Sequence, residues 1–239
     1  MVVKRGYLVG LLMAVLLWAA CSVDFLGMFE ARAVIAGVAP VYRGNSNTPN
    51  IALMFNIDWG EEYLPAILDI LADKKAVATF FPTGSWAEKN SELMAGIVAG
   101  GHEVGNHGAL HAHVENMPRE DLQRLIQSGE ERIATAAGSV RPSKLFAPPY
   151  GEWTGDTVAY ASEMGYLTIM WTVDTVDWRL PPSEAIWKRA LAGAVNGAMV
   201  LLHPTEPTLA AVPTLIDGLR EKGYTLVTVS SCISGASQP

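Results

Sequence analysis

The histidines of this chain are concentrated in one stretch. Four of the five lie between residues 102 and 113, at His102, His107, His111 and His113. His107 and His111 are four residues apart, which on a helix or helical turn places both imidazoles on one face, within reach of one metal ion. The alternative is a pair of polar loop residues, because this spacing is also common by chance. His102 and His113 fit structural or solvent-facing roles better than metal binding.

A carboxylate elsewhere in the chain strengthens the metal interpretation. Asp58 ends an apolar run of strand length that begins at Ile51. A carboxylate oxygen and two imidazole nitrogens suit Zn²⁺ and leave positions open for water and substrate. Such a metal polarises a carbonyl and lowers the pKa of bound water. Asp58, His107 and His111 together therefore predict a hydrolytic metal site.

Hydrolysis also needs an acid that protonates the leaving group. His203 is the candidate, and Asp174 or Asp177 could hold its imidazole charged and oriented. Trp178 and Tyr150 offer apolar walls for a small acyl group or a sugar ring. Asp174 could equally cap a turn, and Trp178 could equally belong to the core.

The elements that must position these residues alternate between apolar runs of strand length and segments with helical periodicity. About seven such strand–helix units follow residue 50, with mostly short connections. The strands are nearly continuous apolar runs, which indicates a parallel α/β sheet covered by helices. A closed or nearly closed barrel and an open doubly wound sheet both fit this periodicity. In a barrel the carboxyl ends of the strands share one rim, and the candidate residues would converge there.

The first 41 residues carry an export pattern. Lys4 and Arg5 precede an apolar run from Gly6 to Ala20, which is typical of a signal peptide or, if uncleaved, of a membrane anchor. The polar segment 42–50 indicates a linker, so we expect the folded domain at 51–234 and a short tail at 235–239. The protein is thus predicted to be exported, and to be either secreted or anchored in the membrane.

Composition narrows the set of partners. The chain of 239 residues has a formal net charge of −7 and a pI of about 5.2, with no cluster of Lys and Arg, so nucleic acid is a poor partner. The two cysteines, Cys21 and Cys232, offer no zinc cluster, and no disulfide is expected between them. Nothing in the sequence indicates an oligomer, so we expect a monomer.

The order and spacing of these motifs resemble the polysaccharide deacetylase family, the NodB-homology domain of carbohydrate esterase family 4. The resemblance covers roughly Ile51 to Ile233, and its most specific segments are Ala78–Phe81, Gly101–His107 with His111, Asp174–Trp178 and Leu202–Pro204. It implies a distorted (β/α) barrel and a divalent metal, most commonly Zn²⁺ but also Co²⁺ or Mn²⁺. It also implies hydrolysis of N-acetyl, or sometimes O-acetyl, groups on chitin-like, peptidoglycan or xylan chains.

Position by position, the resemblance implies metal binding by His107 and His111 and a general-acid role for His203. It also implies that Tyr150 offers its backbone N–H to the oxyanion and that Asp177 helps to build the acetate pocket. The substrate-binding set on this basis is Pro149, Tyr150, Asp174 and Trp178. Two further features, Ser85–Asn90 and the Trp59-Gly60 pair, resemble the sporulation-type branch found in spore-forming bacteria.

The chain departs from the family pattern in two places. The family's first motif reads Phe-Asp-Asp-Gly, with a base and then a metal ligand, where this chain has Asn56 and Ile57. Asp58 lies one residue later, which on a regular strand turns it to the opposite face unless the strand ends or bulges. Ala147 replaces the family's Arg, which orients the base. Asp58 could fill one of the missing roles, as base or as ligand, but hardly both.

Three hypotheses follow. The first is a metal-dependent deacetylase of cell-wall polysaccharide in which Asp58 substitutes in the site. The second is a catalytically impaired, glycan-binding member of the same fold, because the usual base, metal ligand and orienting Arg are replaced. The third is a related carbon–nitrogen hydrolase that acts on a non-sugar amide.

Overall fold

The structure, a computed structural model, describes residues 39–234. The expected signal peptide or anchor at 1–41 lies almost wholly outside this range, and so does the expected tail at 235–239. Across the described residues, no helix is both long enough and apolar enough to cross a membrane.

Parallel strands form the centre of the fold. They are β1 (Asn50–Ile57), β2 (Thr79–Pro82), β3 (Glu103–Val104), β4 (Leu145–Phe146), β5 (Leu167–Thr168), β6 (Val173–Asp174), β7 (Met199–Leu202) and β8 (Thr225–Val227). The main sheet has the order β3-β2-β1-β7-β6, with β8 also paired to β1, and β4 pairs with β5. A bridge between Asn106 and Phe146 connects the end of β3 to β4. This is the expected distorted (β/α) barrel.

Helices connect the strands and cover the outside of the sheet. They are α1 (Leu64–Asp73), α2 (Gly84–Lys89), α3 (Ser91–Ala99), α4 (Arg119–Ala136), α5 (Gly155–Glu163), α6 (Ser183–Ala192), α7 (Glu206–Glu221) and α8 (Val229–Ile233). Helices α2 and α3 are separated only at Asn90, whose side-chain amide donates to the Trp86 carbonyl at 2.9 Å. That bond lets α2 end and α3 begin without a long loop.

The two faces of β1 belong to two different cores. Ile51, Leu53, Phe55 and Ile57 are fully buried against the surrounding helices. The alternate residues, Ala52 and Met54, belong to a second cluster inside the barrel, together with residues from β4 and β7. Because side chains alternate along a strand, the residues that continue the interior row are Asn56 and then Asp58.

The segment 42–50, which the sequence predicts to be a linker, packs on the barrel. Val41 forms a parallel bridge with Ile169, and Arg43 forms an antiparallel bridge with Ala198. The backbone N–H of Gly44 donates to Gly197 at 2.7 Å, and that of Asn45 donates to Cys232 at 2.8 Å. The folded region therefore begins before residue 42. The polar composition of segment 42–50 indicated a linker, but the segment is held by backbone hydrogen bonds, which composition does not reveal.

The same segment lies against the residues that separate β5 from β6. Between them, the backbone N–H of Met170 donates to Val41 at 2.9 Å, and the Thr172 hydroxyl donates to the Tyr42 carbonyl at 2.7 Å. Residues 169–172 thus pair with the N-terminal segment before the chain joins β7. Trp171, which is one of these residues, lines a cavity at the rim of the barrel.

Candidate active site

A cavity of about 390 Å³ opens where the strands end. Its walls are formed by Asn56, Asp58, Trp59, His107, His111, Tyr150, Gly151, Trp171, Asp174, Trp178, Leu201 and His203. These residues come from the ends of β1, β3, β6 and β7 and from the turns after β4 and β5. Polar side chains that are far apart in the sequence therefore converge on one rim, as a parallel barrel requires.

Asp58 lines the cavity because it follows the end of β1 on the interior side. Ile57 is fully buried in the outer core, whereas Asn56 and Asp58 both line the cavity. The one-residue offset from the family pattern therefore leaves Asp58 inside and turns Ile57 away. Oδ1 of Asp58 accepts a hydrogen bond of 2.7 Å from the hydroxyl of Thr83, which also caps α2 by accepting from Trp86 N–H at 3.2 Å. Asp58 is thus tied to the start of a helix.

His107 is held in the form that binds metal ions. It is 2% exposed, and its Nδ1 lies 2.6 Å from the carbonyl oxygen of Ala147. A carbonyl can only accept, so Nδ1 carries the proton and Nε2 keeps its lone pair. Burial, reinforced by the nearby His111, lowers the pKa of His107 to about 3. A neutral imidazole whose tautomer is fixed by a carbonyl is the usual state of a ligating histidine.

His111 completes an imidazole pair beside Asp58. The ring centroids of His107 and His111 are 5.1 Å apart. Burial lowers the pKa of His111, while the Asp58 carboxylate opposes that shift, so the two groups lie within electrostatic reach. Within residues 39–234, however, no group of three His, Cys, Asp or Glu side chains stands in an arrangement that could hold a metal ion. The fit to a divalent cation is one of donor chemistry rather than of a preassembled three-ligand site.

His203 is anchored by a fully buried carboxylate. Its Nδ1 lies 2.8 Å from Oδ1 of Asp177, and its backbone N–H donates to Oδ2 at 2.6 Å. The Thr208 hydroxyl donates to the same Oδ2 at 2.6 Å. The ring of Trp59 runs parallel to that of His203, with centroids 6.1 Å apart. The imidazole that lines the cavity is therefore fixed along its Nδ1 edge, which is the geometry a general acid needs.

The loop that carries Asp177 and Trp178 has an uncommon backbone. Val176 and Leu180 flank it with φ angles of +57° and +53°, a region disfavoured for residues with a Cβ and most of all for β-branched ones. Asp174 supports the loop by accepting a hydrogen bond of 2.8 Å from the backbone N–H of Val176. Asp174 therefore caps a turn and also lines the cavity, and Trp178, at 46% exposure, is not a core residue.

Tyr150 lies in the turn after β4 with a φ of +59°. Its exposed ring is contacted by two imidazoles: His113 stacks on it at 4.1 Å between centroids, and His111 meets its edge at 4.3 Å. His113 also lies 2.8 Å from Glu152, through its Nδ1. His113 thus has a structural role at the cavity wall, whereas Pro149 is buried at the start of the turn and does not line the cavity.

The place of the family's base is occupied by groups that cannot take up a proton. Asn56 is 5% exposed, and among the described residues its Oδ1 has no hydrogen-bond partner. A buried amide oxygen left unpaired costs about 1–3 kcal/mol, so a donor within the cavity is its expected partner. Ala147 is buried and provides a carbonyl for His107, but its methyl group cannot orient a base.

Seven of the nine residues predicted for the site line the cavity: Asp58, His107, His111, Tyr150, Asp174, Trp178 and His203. Asp177 lies behind His203, and Pro149 begins a turn. Sequence reasoning missed Trp171, Gly151 and Leu201. A sequence signal existed for Gly151, which ends the turn-forming stretch Pro148-Pro149-Tyr150-Gly151. In the structure its φ is +68°, and an added Cβ would lie 2.4 Å from the Trp171 ring, so only glycine lets that indole approach.

Comparison with known proteins agrees with this geometry. The family model for polysaccharide deacetylase matches residues 43–169. The chain is 39% identical over 191 residues to YlxY of Bacillus subtilis, covering 80% of this chain and 59% of that protein. It is 33% identical over 194 residues to a peptidoglycan-N-acetylglucosamine deacetylase of Bacillus cereus, covering 79% of this chain and 90% of the relative. These Bacillus relatives support the sporulation-type branch.

Solved structures of a pseudoenzyme from the same family are similar to this chain. BA3943 of Bacillus anthracis, described as a pseudoenzyme of carbohydrate esterase family 4, superposes with a TM-score of 0.79 and 35% identity, covering 83% of this chain and 70% of that one. A mutant of BA3943 described as having restored enzymatic activity gives the same TM-score at 34% identity, covering 83% and 72%. The fold is therefore compatible both with lost activity and with its recovery.

Proposed function

The chain belongs to the polysaccharide deacetylase family, carbohydrate esterase family 4, and we propose that it binds a divalent metal ion and an N-acetylated cell-wall glycan and removes N-acetyl groups from that glycan slowly. The observation that carries the proposal is the cavity in which His107, His111 and Asp58 lie beside the anchored His203. The proposed metal is Zn²⁺, with Co²⁺ or Mn²⁺ as substitutes, because two imidazoles and a carboxylate suit it.

The substrate class follows from the relatives and from the cavity wall. Relatives of this chain include peptidoglycan-N-acetylglucosamine and chitooligosaccharide deacetylases. The cavity wall carries indole and phenol rings at Trp59, Tyr150, Trp171 and Trp178. Aromatic faces pack against the apolar faces of sugar rings and against an acetyl methyl group. We therefore propose a peptidoglycan-like or chitin-like glycan.

The chain's own residues account for part of the chemistry. When bound, the cation would polarise the acetyl carbonyl and activate a water molecule. His203, oriented by Asp177, donates a proton to the amide nitrogen as the carbon–nitrogen bond breaks, so that a free amine and acetate leave. Tyr150 and Trp178 position the N-acetyl sugar in the cavity. The proton released by the attacking water has no carboxylate acceptor at Asn56.

The missing acceptor limits the rate of this reaction. Asp58 is the nearest substitute, and its hydrogen bond from Thr83 holds it as an acceptor. A carboxylate that also binds the cation is a weak base, so one residue serves both roles poorly. General-base catalysis typically contributes about 10²–10⁴-fold to the rate. We therefore expect turnover lower than that of family members with the full motif by about this factor.

A second candidate is a glycan-binding protein without turnover. The unpartnered Oδ1 of Asn56 and the methyl group of Ala147 favour it, because both replace groups that catalysis uses. The likeness to a family pseudoenzyme points the same way. Both candidates share the metal site and the glycan, and they differ only in whether acetate is released.

We further propose that the protein works outside the cytoplasm. Lys4 and Arg5 followed by the apolar run to Ala20 support export. The protein is secreted if this segment is cleaved and membrane-attached if it is retained. Mass spectrometry of the mature chain distinguishes the two by the mass of the N-terminal segment.

Acetate release separates the two candidates. The Zn²⁺-loaded chain is incubated with chitin oligomers and peptidoglycan fragments, and acetate and bound metal are measured on one preparation. His107→Ala removes a metal ligand, and His102→Ala is the matched control, because His102 packs on Phe80 and does not line the cavity. We expect slow acetate release that His107→Ala abolishes and His102→Ala largely retains. Stoichiometric metal without acetate would establish the binding protein instead, and absence of metal would refute both.

A further inference from the structure

Several large aromatic side chains of the described chain are exposed rather than buried. Across residues 39–234 the exposed Trp and Tyr side chains are Tyr42, Trp59, Tyr150, Trp153 and Trp178. Three of them line the cavity. The other two, Tyr42 and Trp153, lie outside it and have no part in the proposed chemistry. Exposed aromatic groups that cluster on one surface commonly mark a binding site.

Tyr42 and Trp153 form one unit although 111 residues separate them. The indole Nε1–H of Trp153 donates to the hydroxyl of Tyr42 at 3.0 Å. This bond satisfies the N–H of the indole, and both residues remain exposed, at 39% for Trp153 and 44% for Tyr42. The pair is therefore an apolar surface whose polar edge already has a partner.

Backbone contacts hold the pair in place from both sides. The Tyr42 carbonyl accepts from the Thr172 hydroxyl at 2.7 Å, and the preceding Val41 forms a bridge with Ile169. Trp153 directly precedes Thr154, whose hydroxyl caps α5 by accepting from Thr157 N–H at 3.1 Å. Side chains that are fixed before binding lose little conformational entropy when a ligand arrives. The pair thus has the rigidity of a binding platform.

The platform adjoins the cavity. Trp153 follows Tyr150 by three residues, which can span at most roughly 10 Å of chain. Thr172, which holds Tyr42, directly follows the cavity residue Trp171. A glycan with one N-acetyl sugar in the cavity therefore has its neighbouring sugars within reach of the platform.

We propose that Tyr42 and Trp153 bind a sugar ring of the glycan outside the catalytic cavity, so that the protein recognises an extended oligosaccharide rather than a single N-acetylated sugar. The proposal rests on the proposed function, because it takes the occupant of the cavity to be a glycan. Stacking of the apolar face of a sugar on the two rings supplies the contact. Affinity then increases with oligomer length, and the increase depends on Trp153.

Calorimetry on the full chain with chitin oligomers of two and six sugars tests this inference. Trp153→Ala should weaken hexamer binding by about three- to tenfold and leave dimer binding unchanged. Trp153→Phe, which keeps a ring, should retain most of the affinity. Val140→Ala is the matched control, because Val140 is an exposed apolar residue away from this rim. The indole N–H resonance of Trp153 should shift with hexamer and not with dimer.

The outcomes separate this inference from the function on which it rests. Equal hexamer binding by wild type and Trp153→Ala would overturn the platform and leave the glycan function standing. Failure of the wild type to bind either oligomer would overturn both. Loss of dimer binding in Trp178→Ala, with the hexamer effect of Trp153→Ala intact, would support both.

Discussion

The two halves of the cavity differ in how completely their polar atoms are partnered. In the acid half, the Asp177 carboxylate accepts hydrogen bonds from the Thr208 hydroxyl and from the backbone of His203, and it lies 2.8 Å from the His203 ring. In the base half, Asn56 presents a buried amide oxygen with no partner among the described residues. The acid half has the hydrogen bonds that the proposed reaction requires, whereas the base half has neither the carboxylate nor the Arg that the family motif implies.

Under the proposed function, glycan binding and proton transfer therefore use different residues of this cavity. The residues proposed to bind a cation and to protonate the leaving group follow β1, β3 and β7, and Asp177 in the loop after β6 orients the acid. The groups that would take the proton depend on only two side chains, at residues 56 and 147. Replacement of the side chains at residues 56 and 147 therefore leaves the proposed cation-binding and acid residues in place. Substitutions in either half of the cavity can test this separation.

The largest expected effect comes from restoring the base half. Asn56→Asp combined with Ala147→Arg should raise acetate release from chitin oligomers by about 10²-fold or more, since a carboxylate can then accept the proton. Asn56→Asp alone should give a smaller increase, because a buried carboxylate without a cationic partner tends to stay protonated. Ala147→Arg alone is the matched control. Equal rates for wild type and double variant would contradict the assignment of the base half.

The next effect is on folding stability and contrasts the two halves directly. Asp177→Ala leaves buried donors on His203 and Thr208 without an acceptor and should lower the free energy of unfolding by about 3 kcal/mol or more. Asn56→Leu removes an oxygen that no described residue contacts, at the wall of a cavity, and should change it by no more than about 1 kcal/mol. Urea denaturation measures both. A larger loss for Asn56→Leu than for Asp177→Ala would reverse the comparison.

A third prediction concerns pH and the metal-binding pair between the two halves. The pKa of His107 is about 3 in the folded chain and about 6.5 when unfolded. Between these values the unfolded chain binds the extra proton, so stability falls as pH falls. Between pH 7 and pH 5, metal-free wild type should therefore lose about 2 kcal/mol more than His107→Gln. Equal losses in both proteins would show that His107 is not held neutral.

The smallest effect concerns the hydrogen bond that holds Asp58. Thr83→Ala removes the donor to Asp58 Oδ1 and should weaken Zn²⁺ binding by about tenfold, as losses around metal ligands commonly do. Thr83→Ser keeps the hydroxyl and serves as the control, because it also preserves the cap on α2. A metal titration with a competing chelator measures both. Unchanged affinity in Thr83→Ala would mean that Asp58 does not contribute as a ligand.

Much of this organisation could be predicted from the sequence. Strand-length apolar runs followed by His107, Asp174 and His203 predicted which residues would meet, because parallel strands end at one rim. The orientation of Asp58 was also within reach. Asp58 lies two residues after Asn56, which occupies the place of the family's base, so strand alternation puts both on one face. Comparison with the family motif directed attention to Ile57 instead.

Other features depend on contacts that no local pattern contains. The segment at Val41 and Arg43 closes the barrel through backbone bonds to residues more than a hundred positions away. The same is true of the bond between Tyr42 and Trp153. Trp171 was hidden within an apolar run because its exposure depends on that pairing and on the missing side chain at Gly151. Tertiary pairing, rather than propensity, decided each of these cases.

The central claim is that glycan recognition does not depend on the side chains at residues 56 and 147. Measuring glycan binding with and without a restored base half tests it most directly. Calorimetry with a six-sugar chitin oligomer is performed on the Zn²⁺-loaded wild type and on the Asn56→Asp, Ala147→Arg variant. We predict that the dissociation constants of the two proteins agree within about twofold, which corresponds to a difference of about 0.4 kcal/mol in binding free energy. Binding by the double variant alone would contradict the claim, because it would mean that loss of the base half also removed recognition of the glycan.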